Sequence, residues 1–127
     1  MNKDEIFNMP AGEQIDKLIA IKVLGYPELD LEDAPCPYCG NIMRFCGSRS
    51  WCSLCSEWRH SAYKKYSDEI SSAWEIVEKL TDGETPNDCE LRTSVRGWRC
   101  DLYKGYANAE TAPLAICRAA LLSASSL

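Results

Sequence analysis

Two hydrophobic stripes at helical spacing and one stretch at strand spacing organise the chain. Ile15, Leu18, Ile19 and Val23 recur at i, i+3, i+4 and i+8 within "PAGEQIDKLIAIKVLG", which is one face of a helix. Pro10 suits its first turn and Gly25 its C-terminal stop. A shorter helical turn precedes it, with Asn2 and Glu5 spaced as a capping pair. "YPELDLEDAP" then reads as an acidic connector bounded by prolines. Beyond a cysteine-rich segment from about Cys36 to Tyr66, Ile70, Ala73, Trp74, Val77 and Leu80 form a second stripe. Ser67 is the expected N-cap of this helix, and Asp68 and Glu69 favour the positive end of its dipole. "TDGETPND" breaks it.

The period then changes to two. Cys89, Leu91, Thr93 and Val95 alternate with Glu90, Arg92, Ser94 and Arg96, and Trp98, Cys100 and Leu102 alternate with Arg99, Asp101 and Tyr103. This predicts a hairpin with a tight turn near Arg96–Gly97. "GYANAE" reads as a short third strand. Thr111 is placed to cap a last helix, "APLAICRAALLSAS", whose first turn tolerates Pro113. Ile116, Ala119, Ala120 and Ser123 lie along one side of it, a face small enough for close packing. A hairpin with one apolar face cannot stand alone, so the helices must cover it. The expected class is α+β, a small antiparallel sheet covered by helices, built from residues 1–32 and 67–127. Residues 33–66 form an insertion.

The chain has 127 residues with 46% hydrophobic and 26% charged side chains, enough for one ordinary core or a small core plus a metal-held module. No run of 18 apolar residues offers a membrane span. "MNKDEIFNMP" carries acids where a secretory leader needs basic residues and an apolar stretch. A cytoplasmic location is therefore expected, where thiols stay reduced and grouped cysteines bind metal or do redox chemistry more often than they form disulfides.

That expectation bears on "CPYCGNIMRFCGSRSWCSLC", which holds five of the eight cysteines. Cys36, Cys39, Cys52 and Cys55 are spaced C-x2-C-x12-C-x2-C. Each pair can wrap two thiolates round one cation, and Gly40 permits the tight turn that aims amides at sulfur. Two such knuckles facing each other make a tetrahedral structural zinc site, and the intervening residues suffice for the hairpin of a zinc ribbon. A thioredoxin-like pair would need one C-x2-C at a helix start. Iron uses the same four-thiolate set in rubredoxin-like sites. Four cysteines leave no open position for catalysis. Cys46 reads as a free thiol and His60 as an exposed or hydrogen-bonding side chain. Cys89, Cys100 and Cys117, at apolar positions, read as small buried hydrophobes.

Charge singles out the same segment. The formal net charge is −5, yet residues 36–66 carry Arg44, Arg49, Arg59, Lys64 and Lys65 against Glu57 alone, a local +4. Zinc on four thiolates adds about −2, leaving a modest basic patch. Tyr38, Phe45, Trp51, Trp58, Tyr63 and Tyr66 interleave with these bases, the composition that stacks on nucleobases and pairs with phosphates. The same aromatics also serve to cover a ribbon's metal and pack its sparse core. No phosphate-cradling glycine loop, G-x-S-x-G or HExxH is present, and the lone histidine leaves little for acid–base work. A non-enzymatic role is expected.

"AGEQIDKLIAIKVLGY", "SDEISSAWEIVEKL" and above all "ETAPLAICRAALL" resemble small tailed-phage proteins carrying the phage ABA sandwich domain. The resemblance implies helices on both faces of a small antiparallel sheet, an α/β/α sandwich, and a phage or prophage origin. It implies no catalytic residue. "APCPYCGNIMRFCGSRSWCSLC" followed by "SDEISSAW" is similar to short phage restriction-alleviation proteins, which set a CPxCG ribbon before a like helix, although here Glu75 stands where an Asn typically follows the Trp. Together they imply an accessory phage protein in the host cytoplasm. Its expected action is to inhibit a host defence or regulatory protein, with Arg44, Arg49, Trp51, Trp58 and Arg59 as the contact surface. The alternatives are a nucleic-acid-binding ribbon regulator and a sponge for a signalling nucleotide, the last requiring a pocket.

Overall fold

The computed structural model describes residues 3–81, 89–95, 97–102 and 105–125. The chain divides into two compact units, Met1–Tyr26 with Lys65–Leu127, and Pro27–Lys64. The compact ribbon unit begins at Pro27 rather than near residue 33, through a contact distant in sequence. The Tyr63 hydroxyl accepts from the Leu29 amide at 2.8 Å and donates to the Pro27 carbonyl at 3.5 Å, which ties the acidic connector to the ribbon unit.

In the first unit the chain opens with α1 (Lys3–Asn8) and α2 (Glu13–Leu18), the latter running into a wider π-helical turn over Ile19–Val23. Gly25, at φ 75°, ends it as expected. Pro10 does not open this helix, because Gly12 stands at its N-cap with φ 147°, a conformation that favours glycine. The cap proposed at Asn2 lies outside the described residues. The second apolar stripe becomes α3 (Ile70–Thr81). The ribbon unit between α2 and α3 carries β1 (Arg44–Phe45), β2 (Ser50–Cys52) and β3 (Glu57–Arg59); after α3 come β4 (Cys89–Ser94), β5 (Gly97–Leu102) and β6 (Gly105–Ala109), antiparallel in the order β4-β5-β6. Ser94 pairs with Gly97, so the hairpin turn falls on residues 95–96. Val95 is fully exposed there rather than inward, and Arg96 lies outside the described residues, as does the break at 82–88. The third strand predicted from "GYANAE" is present as β6.

The last helix, α4 (Ala112–Ser125), is the centre of this unit. Thr111 caps it, its Oγ1 accepting from the Leu114 amide at 3.4 Å. The helix packs on β5 and β6 along one side and on α3 and the α2 region along the others. Its burial extends all round, through Ala115, Ile116, Cys117, Ala120 and Leu121, well beyond the small-residue face read from the sequence. Close approach explains the small residues. A Cβ on Gly105 would sit 2.8 Å from both the Ala119 carbonyl oxygen and the Ser123 nitrogen, so only glycine lets β6 meet this helix.

The sheet's inner face, Cys100, Leu102, Ala107 and Ala109, is buried. Its outer face is polar. Arg92 reaches Glu90 at 3.3 Å and Asp101 at 3.6 Å, and Arg99 reaches Asp101 at 3.2 Å. Phe7 of α1 approaches Tyr106 on that face, with ring centroids 6.4 Å apart. The fold is thus α+β, a small antiparallel sheet covered by helices, with the cysteine segment as an inserted unit.

Two sequence readings of α3 are corrected. Ser67 does not cap it. Its amide and hydroxyl donate to Asp16 Oδ1 at 2.9 and 2.7 Å, and its Oγ accepts from the Gly12 amide at 3.0 Å. Glu69 begins the helix instead, its carbonyl accepting from Ala73 and its Oε1 from the Ser72 hydroxyl. The buried face is Ser72, Ala73, Ile76 and Val77, while Ile70 and Trp74 are exposed. The buried stripe is thus turned from the expected one, with Ile76 in the core where Trp74 was expected.

Candidate metal centre and contact surface

The second unit is built from β1 (Arg44–Phe45), β2 (Ser50–Cys52) and β3 (Glu57–Arg59), an antiparallel sheet in sequence order. The two C-x2-C pairs frame it. After the first, the Gly40 amide donates to the Cys36 carbonyl at 2.8 Å and Gly40 takes φ 78°. After the second, Ser56 takes φ 55°, the left-handed region that side chains rarely enter. The knuckles are therefore built alike, although only the first has a glycine to announce it. The Cys55 amide donates to Cys52 Sγ at 3.4 Å, the amide-to-sulfur contact that stabilises a thiolate.

These turns bring the four sulfurs together. Cys36 and Cys55 Sγ lie 3.9 Å apart, Cys39 and Cys52 Sγ 3.5 Å apart, and all four fall within 4.8 Å of one another. Four thiolates at ~2.3 Å from a tetrahedral zinc ion stand about 3.8 Å from each other. The donors present therefore fit one such cation, and this is the cluster the spacing predicted. Cys46 is exposed and outside it, its thiol against the Arg44 carbonyl, and His60 is exposed as well. Cys36 and Cys52 are buried with Met43, while Leu31 and Tyr38 pack over them. Burial pushes the Cys36 thiol up. The Tyr38 amide, Arg59 and the Cys39 amide outweigh that and bring it down to about 6.

Arg59 is the residue whose role the sequence did not disclose. Expected on the contact surface, it has only 10% of its side chain exposed. Burial disfavours its charge, but hydrogen bonds to the Cys36 and Cys55 sulfurs and their negative charge hold it protonated. Its guanidinium stacks 4.2 Å over the Tyr38 ring and reaches Glu57 at 2.9 Å. Strand alternation explains this. Arg59 pairs with Ser50, whereas Arg44, Trp51 and Trp58 are register partners across all three strands and so share the opposite face.

On that face Trp51 and Trp58 meet edge to face at 5.2 Å, and Arg49 lies 3.8 Å over the Trp58 ring. Trp58 remains 38% exposed, and Arg44 and Arg49 are exposed. Four of the five expected contact residues thus form one row, and the fifth turns toward the sulfurs.

The first unit holds a groove of about 800 Å³ lined by Pro10, Asp68, Val95, Glu110 and Leu114 among others. Arg118 also lines it, but all three guanidinium nitrogens donate to the Met9 and Asn108 carbonyls. With its cation so engaged beside two carboxylates, the groove is poorly suited to a phosphate. No helix among the described residues is long and apolar enough to cross a membrane.

Fold and site together define a small α+β protein with an inserted four-cysteine ribbon. The family profile for the Phage ABA sandwich domain matches residues 17–121, and the chain belongs to that family. It is similar to a phage protein from Bacillus cereus ATCC 14579 whose crystal structure is known at 2.0 Å, with 26% identity over 91% of this chain and 94% of that one, at a TM-score of 0.55. Among curated proteins none matches the chain significantly.

Proposed function

We propose that this phage protein is a non-enzymatic binder that inhibits a host defence or regulatory protein in the host cytoplasm, using a zinc-held ribbon as its contact surface. The observation that carries the reading is the row Arg44–Trp51–Trp58 topped by Arg49. Aromatic and arginine side chains left exposed in a rigid array are the residue types that dominate protein interfaces. Zinc has a structural part here: four thiolates saturate it and lock the strands that display the row.

The row also favours a second reading, a nucleic-acid-binding regulator, because an arginine-flanked tryptophan pair is a platform for unstacked bases. The two readings separate by ionic strength. Phosphate binding weakens steeply with salt, with a slope set by the contacts made, whereas a desolvated aromatic interface does not.

The test is native mass spectrometry of the full chain isolated gently from bacterial lysate, beside an Arg44→Glu/Arg49→Glu/Trp58→Ala variant. The expected result is one zinc per chain, and a host protein present with the wild type and absent with the variant. Copurified nucleic acid lost in the variant would favour the second reading. A host protein retained by the variant would place the contact elsewhere and overturn the assignment of the row.

A further inference from the structure

We infer that the outer edge of β4 seats a second copy of this chain, the two sheets joining antiparallel about a two-fold axis through Leu91. Among the described residues β4 pairs with β5 alone and forms one edge of its sheet. Free-standing edges are normally blunted by proline, lysine, a bulge or a covering element. Here "CELRTS" contains neither proline nor lysine, and its register with β5 runs unbroken from Cys89↔Leu102 to Ser94↔Gly97. The opposite edge is treated differently. The Asn108 carbonyl of β6 is held by Arg118, which also grips the Met9 carbonyl beside it.

The direction of the free groups follows from the turn. A two-residue hairpin closes on a hydrogen-bonded pair, so Ser94 and Gly97 exchange bonds. Alternation then points Arg92 and Glu90 at β5 and leaves the amides and carbonyls of Thr93, Leu91 and Cys89 facing outward. The other hairpin, closing on Leu102↔Gly105, gives the same alternation, which agrees with an outward Asn108 carbonyl.

A two-fold through Leu91 sets Leu91 opposite its own copy and Cys89 opposite Thr93, all as hydrogen-bonded pairs. It also places Glu90 of each copy opposite Arg92 of the other as a non-hydrogen-bonded pair, where side chains approach most closely. Both lie on the polar outer face and are exposed. Leu91 is half-buried, on the face it shares with its partner Cys100, so the two leucines would meet beside the cores. An isologous contact needs a self-complementary surface. This short segment supplies one in charge, in backbone pairing and in apolar contact at a single register.

The experiment is sedimentation equilibrium of the full, metal-loaded chain, with circular dichroism confirming that each variant is folded. The wild type is expected to dimerise. Thr93→Pro removes an outward amide that pairs with nothing among the described residues of the monomer, and should weaken the dimer at least tenfold, on the order of two ladder bonds lost per dimer. Glu90→Arg sets like charges opposite each other twice and should weaken it roughly tenfold. The double exchange Glu90→Arg/Arg92→Glu should restore wild-type affinity, which a loss of folding cannot do. A monomeric wild type overturns the inference, whether or not a host protein occupies the edge. So does a dimer that survives both single substitutions, or a double exchange that fails to rescue.

Discussion

Asp16 is the sharpest place to test the energetics of the helix–sheet unit. It is 3% exposed, and the Ser67 amide and hydroxyl both donate to its Oδ1. Burial pushes its carboxyl up to about 6, against the Ser67 hydrogen bonds that lower it, with Asp68 and Glu13 adding to the rise. The buried Cys117 thiol also faces it and is itself held well up, chiefly by burial, so it stays neutral. Because both donors use one oxygen, the other can carry a proton without breaking either bond. In the unfolded chain the group titrates near 3.9. Below about pH 4 both states are protonated and Asp16 contributes no pH-dependent term. Between about 4 and 6 the folded state binds the extra proton, so stability falls as pH rises. Above about 6 both states are ionised and the cost is complete, about 3 kcal/mol on the linkage relation.

Asp16→Asn keeps an oxygen acceptor for Ser67 and puts an amide where the proton would sit. Urea unfolding of wild type and variant should be compared at matched pH, because any metal loss from the ribbon is common to both and cancels in the difference. The variant should be about equal to wild type near pH 4 and gain by up to about 3 kcal/mol by pH 7. A difference that is flat with pH, or that opens in the opposite direction, would refute the argument that burial governs this carboxyl.

Arg59→Met should lower zinc affinity about 10- to 100-fold in a chelator competition, since it removes the donor shared by two thiolates; Arg49→Met, on the opposite strand face, should leave it unchanged. Gly105→Ala should cost about 1–3 kcal/mol in thermal unfolding, because its Cβ would meet the Ala119 and Ser123 backbone, and a neutral result would mean that β6 can withdraw from α4. Cys46→Ser should retain a full zinc equivalent by metal analysis while Cys55→Ser should not, because Cys46 lies outside the sulfur cluster.

Much of this protein was legible from local rules. The C-x2-C spacing determined the sulfur cluster because a knuckle is made within four residues. Strand periodicity located the hairpin of the main sheet, and Thr111 announced α4, because caps and alternation act over one turn or one pleat. Most of what failed depended on a neighbour distant in the chain. Ser67 carries the right chemistry for a cap, yet a buried carboxylate from α2 offered it another acceptor, and α3 starts later; which stripe of α3 is buried, with Ile76 inward and Trp74 exposed, was decided by its packing on α4. The five basic and aromatic contact residues looked equivalent in sequence. Only the pairing of β1, β2 and β3 sorted Arg44, Trp51 and Trp58 onto one face and sent Arg59 to the thiolates. Composition set which groups could interact; tertiary structure decided which of them met, because hydrogen bonds and ion pairs form with the partner that folding brings within reach, not with the nearest in sequence.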